Sequence, residues 1–295
     1  MRLKLITSIV LLLGLVSCNL HDNNTKEIAK MLQTKMTEIN AYAGQVIVMD
    51  SKTGEVKSMV GDELAILEST TLIRPVSVMA ALESGKVQLS DSVDVGDGLY
   101  IVEGDTITRD FNWSRGGYGK ITVGRVLDAG TNIGTYLTTK KAFAENEQAY
   151  YDLLDKCGVS VEKKDVLWNC IGYDLSVSPV QLLLIFNSIA VKEGTMPDGS
   201  KIASTTTIEK MKQVLRSVVT DGLGKPAGSD KFAVSGMFAD TYLGDGKYCL
   251  QFCGYFPSES PQYTVLVTLN KEGLPASGGQ MAGSLFKDVA EHLMK

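Results

Sequence analysis

Histidine, the commonest proton carrier at neutral pH, is nearly absent from this chain. Its two copies, His21 and His292, stand at opposite ends of 295 residues. A Ser-His-Asp or Cys-His relay therefore has no base in the interior, and a histidine-built metal site has no ligands. Neither a metal nor any other cofactor is expected. Cysteine offers different chemistry. Cys249 and Cys253 lie in a run that reads as a strand, where four residues of separation put them on one face but ~13 Å apart, too far to bridge each other. They read as small core residues. Cys157 and Cys170 are free to pair in an oxidising compartment, and the sequence leaves that pairing open. Cys18 is placed differently from these four. It follows Ser17 at the end of Ile6–Val16, an apolar run of secretory-signal length, and Arg2 and Lys4 precede that run.

Leu15-Val16-Ser17-Cys18 resembles the lipobox of bacterial lipoproteins. The resemblance implies cleavage before Cys18, lipidation of its thiol, and export to the cell envelope on the periplasmic or surface side. An ordinary cleaved signal with an incidental cysteine is the competing reading. The expected organisation is a signal peptide over 1–17, a lipidated Cys18 with a polar tether over 18–25, and one domain over 26–295. The apolar run is shorter than the ~20 residues of a spanning helix, as is every later apolar segment. Membrane attachment is thus expected through acyl chains. The net charge of -5 becomes two units more negative once Arg2 and Lys4 are removed, and no basic run exists. Nucleic acid is therefore not an expected partner. An apolar content of 44% indicates a packed core rather than disorder.

The elements that must position any chemistry follow from periodicity. Ile28, Leu32, Met36 and Ile39 make one helical stripe over 26–39. A hairpin follows, with strands over 45–49 and 55–60 around the turn Asp50-Ser51-Lys52-Thr53-Gly54. A mainly helical middle is expected over 71–84, 121–137 with Thr122 as N-cap, 179–191 opened by Ser178-Pro179, and 205–219. Three strands are then expected over 232–238, 248–256 and 263–269, before a closing helix over 278–294. The order helix, two strands, helices, three strands, helix predicts an α+β fold. It comprises one five-stranded antiparallel sheet built from both ends of the chain, covered by helices, with a helical lobe inserted between strands two and three.

That order, with several local sequences, resembles the transpeptidase domain of class B penicillin-binding proteins, of the β-lactamase/transpeptidase-like fold, over roughly residues 44–294. The blocks that carry the likeness are Gly44-Gln45-Val46-Ile47-Val48-Met49-Asp50 with Thr53-Gly54-Glu55-Val56; residues 80–87 and 94–98; Arg109-Asp110-Phe111-Asn112-Trp113; residues 116–119 and 121–123; Gly172-Tyr173-Asp174-Leu175-Ser176-Val177-Ser178-Pro179; Gly254-Tyr255-Phe256-Pro257; and Gly278-Gly279. The resemblance implies three catalytic motifs. The first, Ser-x-x-Lys-Pro, reads Thr71-Leu72-Ile73-Arg74-Pro75. Threonine keeps a hydroxyl, but an arginine with a pKa above ~12 stays charged and cannot take its proton. The second, Ser-x-Asn, reads Gly130-Thr131-Asn132: the amide survives, the shuttle hydroxyl is lost, and the Thr131 hydroxyl is one helical step, ~100°, away. The third, Lys-Thr/Ser-Gly, reads Val234-Ser235-Gly236, with hydroxyl and glycine kept and the cation lost.

The resemblance therefore implies a domain with vestigial catalytic positions at Thr71, Arg74, Gly130 and Val234. Asn132, Ser235 and Gly236 remain as its candidate ligand contacts. The implied ligand is a peptidoglycan stem peptide, or a β-lactam held non-covalently. Docking on a cell-wall synthesis or sensing protein is a further implied role. An active D,D-transpeptidase or carboxypeptidase with Thr71 as nucleophile is the alternative. Arg74 is expected either to pair with Glu63 or Glu68 or to hold a ligand. Trp113 and Trp168 are expected to pack rather than to present sugar platforms. The stretch between Asn132 and Gly172 is short, which implies a trimmed groove.

Overall fold

The computed structural model describes residues 23–63, 67, 69–103 and 105–295. The expected signal peptide, Cys18 and the first part of the tether lie outside the described residues, as does Glu68. Helix α1 (Asn23–Ile39) buries Ile28 and Leu32, with Met36 and Ile39 packed beside them. It starts earlier than the periodicity indicated: residues 23–25, expected in the tether, are helical, and Thr25 is buried. Strands β1 (Ala41–Asp50) and β2 (Val56–Gly61) form the expected hairpin. Asp50 closes its turn by accepting from the Thr53 amide at 2.8 Å.

The inserted lobe begins with one 3-10 turn, Thr71–Ile73, that runs into α2 (Arg74–Glu83). Two small two-stranded sheets follow. In the first, β3 (Ser92–Asp94) pairs with β6 (Lys120–Thr122); in the second, β4 (Leu99–Val102) pairs with β5 (Asp105–Arg109). Then come α3 (Asn132–Phe143), α4 (Glu147–Lys156), β7 (Ser160–Val161), α5 (Val166–Ile171) and β8 (Leu175–Ser176). Helices α6 (Pro179–Val191) and α7 (Thr205–Thr220) close the lobe, and the Ser178 hydroxyl caps α6 as its Ser-Pro start indicated.

The helix expected over 121–137 forms only from Asn132, as the start of α3. Thr122 makes no capping bond, and residues 123–125 are a single 3-10 turn. Gly130 then turns the chain with φ +63, and Thr131 caps α3 by accepting from the Gly134 amide. Two threonines compete to start one helix, and the one with a helical chain beyond it and a carboxylate beside it prevails.

The chain returns to the sheet as β9 (Ser235–Gly244), β10 (Lys247–Phe256) and β11 (Tyr263–Glu272), and ends in α8 (Met281–Leu293). β9 was expected over 232–238; it starts later and runs further. The cause is the Asp245-Gly246 turn, whose two residues both have positive φ. A two-residue turn of that kind matches the twist of its flanking strands, so pairing extends to Gly244 opposite Lys247. The sheet order is β2-β1-β11-β10-β9, antiparallel throughout. Helices α1 and α8 cover one face and α6 lies on the other, so the strands are buried on both sides. β9 is one of the two edge strands, and the 3-10 turn at Thr71 packs against it.

Candidate functional site

Three hydrogen bonds fix the backbone at Thr71. The Thr70 amide donates to Gly172 O at 2.8 Å, and the Thr70 hydroxyl donates to Gln251 Oε1 at 2.7 Å. Gly172 must be glycine there: its φ is +102, and a Cβ would stand 2.1 Å from Thr70 O. The Thr71 amide itself donates to the Thr241 hydroxyl of β9 at 3.0 Å. Thr71 is only 2% exposed, and its Oγ1 is buried with no hydrogen-bond partner among the described residues.

Arg74 is 3% exposed and sits at the first turn of α2, one turn beyond Thr71. Its Nε donates to Thr71 O at 3.1 Å, its Nη1 to Gly130 O at 2.6 Å and Asn132 Oδ1 at 3.5 Å, and its Nη2 to Phe238 O at 3.3 Å. The guanidinium also lies over the Phe238 ring, 5.6 Å from its centroid. One side chain thus ties α2, the α3 entry and β9 together. Burial lowers the Arg74 pKa, and Asp240 and Asp110 oppose that shift with their negative charge. Arg74 makes no ion pair with Glu63 or any other described carboxylate. The expected partner is replaced by backbone carbonyls, to which five N–H groups in a fixed fork are well matched.

Asp110 is the residue that organises the second stretch. It accepts from the Thr131 hydroxyl, from the Asn132 amide at 2.7 Å and from the Ile133 amide at 3.2 Å. A carboxylate on free amides at a helix N-terminus meets both their hydrogen-bonding need and the positive end of the helix dipole. Even so, burial raises the Asp110 pKa above its ordinary value. Thr131 is spent as cap and donor, so its hydroxyl is turned to Asp110 and Gly134 rather than to Thr71. Asn132 stays half-buried at the rim. A serine at 130 would be strained: φ is +63, and its Cβ would lie 2.7 Å from Phe238 Cζ.

The third stretch is not where the sequence placed it. Thr71, Arg74, Gly130 and Asn132 come together, but Val234, Ser235 and Gly236 do not join them. Val234 is fully buried and its carbonyl accepts from Arg216 Nη1 at 2.8 Å. The Ser235 hydroxyl pairs with the Ser258 hydroxyl at 2.9 Å, and Gly236 pairs with Gly254 in the ladder. The part of β9 that faces Thr71 and Arg74 is Phe238–Thr241, about 10–20 Å further along the strand at ~3.3 Å per residue. Asp240 lies there, its carboxylate accepting from the Gly278 amide, and burial raises its pKa. Sequence reasoning missed Asp240 and Thr241 because it ended the strand at 238. The Asp245-Gly246 turn was the available signal: it carries the pairing to Gly244 and so puts Thr241 inside the ladder, where a register shift at Lys247/Tyr248 sets it opposite Cys249.

Trp168 packs edge-on against Tyr173, as expected. Trp113 does not pack in the core; it is 41% exposed, with the Arg109 guanidinium over its ring. The four described cysteines are buried thiols, and Cys157 and Cys170 are unpaired. Burial pushes the Cys157 thiol up to about 12. Among the described residues no helix is long and apolar enough to cross a membrane.

Among the described residues the site offers a hydroxyl without a base in hydrogen-bonding reach and a guanidinium tied to carbonyls. The backbone amide of the would-be nucleophile is already bonded to a neighbouring side chain. General-base activation requires the base within hydrogen-bond distance of the proton it takes. Stabilisation of a developing oxyanion requires donors left free for it.

Comparison with known proteins gives a consistent pattern. The family model described as penicillin binding protein transpeptidase domain matches residues 44–291. The chain is 22% identical to the probable peptidoglycan D,D-transpeptidase PenA of Neisseria flavescens, over 84% of this chain and 74% of that protein. With penicillin-binding protein PbpB of Mycolicibacterium smegmatis it shares 21% identity, over 95% of this chain and 54% of that one. It spans about half the length of most curated relatives it matches. Among solved structures, the fold is shared with the transpeptidase domain of Burkholderia pseudomallei penicillin-binding protein 3. There the TM-score is 0.77 at 24% identity, over 92% of this chain and 93% of that one. A peptidoglycan glycosyltransferase structure from Burkholderia ambifaria gives a TM-score of 0.79 at 23% identity, covering 92% and 94%.

Proposed function

The chain belongs to the penicillin-binding protein transpeptidase domain family, and from that premise we propose that it is a non-catalytic member, held at the cell envelope by a lipidated Cys18. It works by docking on a cell-wall synthesis or sensing partner, or by recognising a peptidoglycan stem peptide without acylation. The observation that carries this reading is the engagement of Thr71 on every side but its hydroxyl. Its amide is bonded to Thr241, its carbonyl to Arg74, and its Oγ1 has no partner among the described residues to take the proton. Loss of the base alone costs ~10³–10⁶ in rate in nucleophilic hydrolases, and the losses are not additive. Here the base is an arginine, the serine of the second motif is a glycine, and the lysine expected on the strand has no counterpart at Phe238–Thr241.

Docking is the better-supported of the two modes, because Thr71 and Arg74 are closed to solvent. Of the three candidate ligand contacts, only Asn132 stands at the rim of the site. Export and lipid attachment rest on the Arg2/Lys4, apolar-run and Cys18 pattern alone. Mass analysis of the protein from its native membrane tests them: an acylated N-terminal Cys18 is expected, and an intact Met1 or an unmodified mature terminus contradicts it.

The orphaned Thr71 hydroxyl favours one other reading, an acyl-accepting enzyme. The two are separated by incubating the protein with a D-Ala-D-Ala peptide. No released D-alanine is expected, whereas turnover that disappears in Thr71→Val establishes the enzyme.

A further inference from the structure

The structure leaves a cluster of large apolar side chains in water beside the closed site. Phe111 is 63% exposed and Trp113 is 41% exposed. They stand one and three positions after Asp110, the buried residue that organises the α3 entry. Ile101 and Val102, also exposed, lie on the adjoining β4–β5 hairpin, where Leu99 pairs with Arg109. Each aromatic ring carries a guanidinium: Arg109 lies 5.5 Å from the Trp113 centroid and Arg115 lies 5.5 Å from the Phe111 centroid. The turn that presents them is built closely. The Asp110 amide donates to Gly98 O at 2.9 Å and the Gly119 amide to Gly96 O at 2.9 Å. A Cβ on Gly117 would stand 2.3 Å from the Asp97 carbonyl carbon. The stacked pairs are therefore held on a fixed platform, so little conformational freedom remains to be lost on binding.

We propose that this face docks a segment of a partner protein that is both acidic and apolar. Charge supports the choice. The chain is net acidic, yet residues 109–125 hold Arg109, Arg115, Lys120 and Arg125, and their only carboxylate, Asp110, is buried. Neither stacked guanidinium has an ion-pair partner among the described side chains. Stacking covers the ring faces but leaves the N–H edges of each guanidinium free for carboxylates, which Arg binds in a two-pronged manner. Trp and Arg are also the side chains that dominate binding energy in protein interfaces. The proposal rests on the docking reading above and names the surface and the partner's chemistry.

The test uses the full chain and a fluorescein-labelled peptide alternating Glu and Leu, read by polarisation. Controls are peptides alternating Lys with Leu and Glu with Ser, a single-stranded oligonucleotide and soluble glycan strands. The Glu-Leu peptide should bind best, by about tenfold over each control. Arg109→Glu with Arg115→Glu should weaken it by about tenfold or more, and Phe111→Ser with Trp113→Ser by a similar factor, while unfolding transitions stay in place because all four side chains are exposed. Equal binding of the Glu-Ser peptide, the oligonucleotide or the glycan overturns the proposal, as does binding that survives both pairs of substitutions. Acylation of Thr71 by a β-lactam would remove the docking reading and leave the peptide result to stand. A null peptide result without acylation would remove this surface alone.

Discussion

Arg74 shows what has happened at the scale of single residues. On the proposed correspondence with the family's first motif, a side chain that only donates stands in the place of a proton acceptor. All its identified partners are acceptors: three carbonyls and one amide oxygen. Removing it would strand those carbonyls and the buried Asp240 together. Arg74→Met is expected to cost about 3–5 kcal/mol of stability, because several buried carbonyls each lose a charged donor at roughly 1–3 kcal/mol; the midpoint of urea unfolding measures it. Thr71→Ser with Arg74→Lys, which rebuilds the first motif by type, should leave the protein unacylated, because the second hydroxyl and the strand lysine are still missing. Intact mass after exposure to a β-lactam checks that. Titration gives a further handle. Burial raises the Asp240 pKa above its unfolded value near 3.8, so the folded state holds that proton more tightly. Stability from this group is then present at low pH and is lost as pH rises from about 4 through the raised value. Asp240→Asn keeps an oxygen for the Gly278 amide and removes the titration. Its stability relative to the parent should therefore climb as pH rises through that window, and a flat or falling difference between pH 4 and 7 would contradict the assignment.

At the scale of elements, the site is a junction of α2, the α3 entry and β9. Gly130 is its hinge point. Restoring the family's serine there, Gly130→Ser, forces a positive φ on a residue with a Cβ and presses it onto Phe238. The expected cost is about 1–3 kcal/mol, seen as a lower unfolding midpoint. Thr241→Val should cost a similar ~1–3 kcal/mol by leaving the buried Thr71 amide without an acceptor. Much of this junction could be read from sequence. The Thr71/Arg74 pair, the α6 start at Ser178-Pro179 and the two strand pairs of the sheet follow from spacing, capping chemistry and alternation. The α3 start and the extent of β9 did not follow, for physical reasons. Asp110 reaches Thr131 and Asn132 across 21 and 22 residues of chain, so the bond that decides between Thr122 and Thr131 as cap is invisible locally. On β9 the motif-like Val234-Ser235-Gly236 drew the reading toward the wrong end of the strand. The two-residue turn at Asp245-Gly246 carries the pairing on to Gly244, with a register shift at Lys247/Tyr248.

At the scale of the molecule, the sheet built from both chain ends, with α1 and α8 on one face and the inserted lobe on the other, is intact. The core is continuous from Ile28 through the strands to Ala290. Between lobe and edge strand, Arg74 is held by backbone carbonyls and Thr71 is closed to solvent, which supports the non-catalytic reading proposed above. A fold kept and a site closed is the pattern expected of a domain retained for its surface. The most direct test of that claim is acylation. The full chain is incubated with a fluorescent β-lactam at saturating concentration, and its intact mass is measured. An unchanged mass and no labelled protein is the expected result. A covalent adduct that maps to Thr71 and is absent in Thr71→Val would contradict the account.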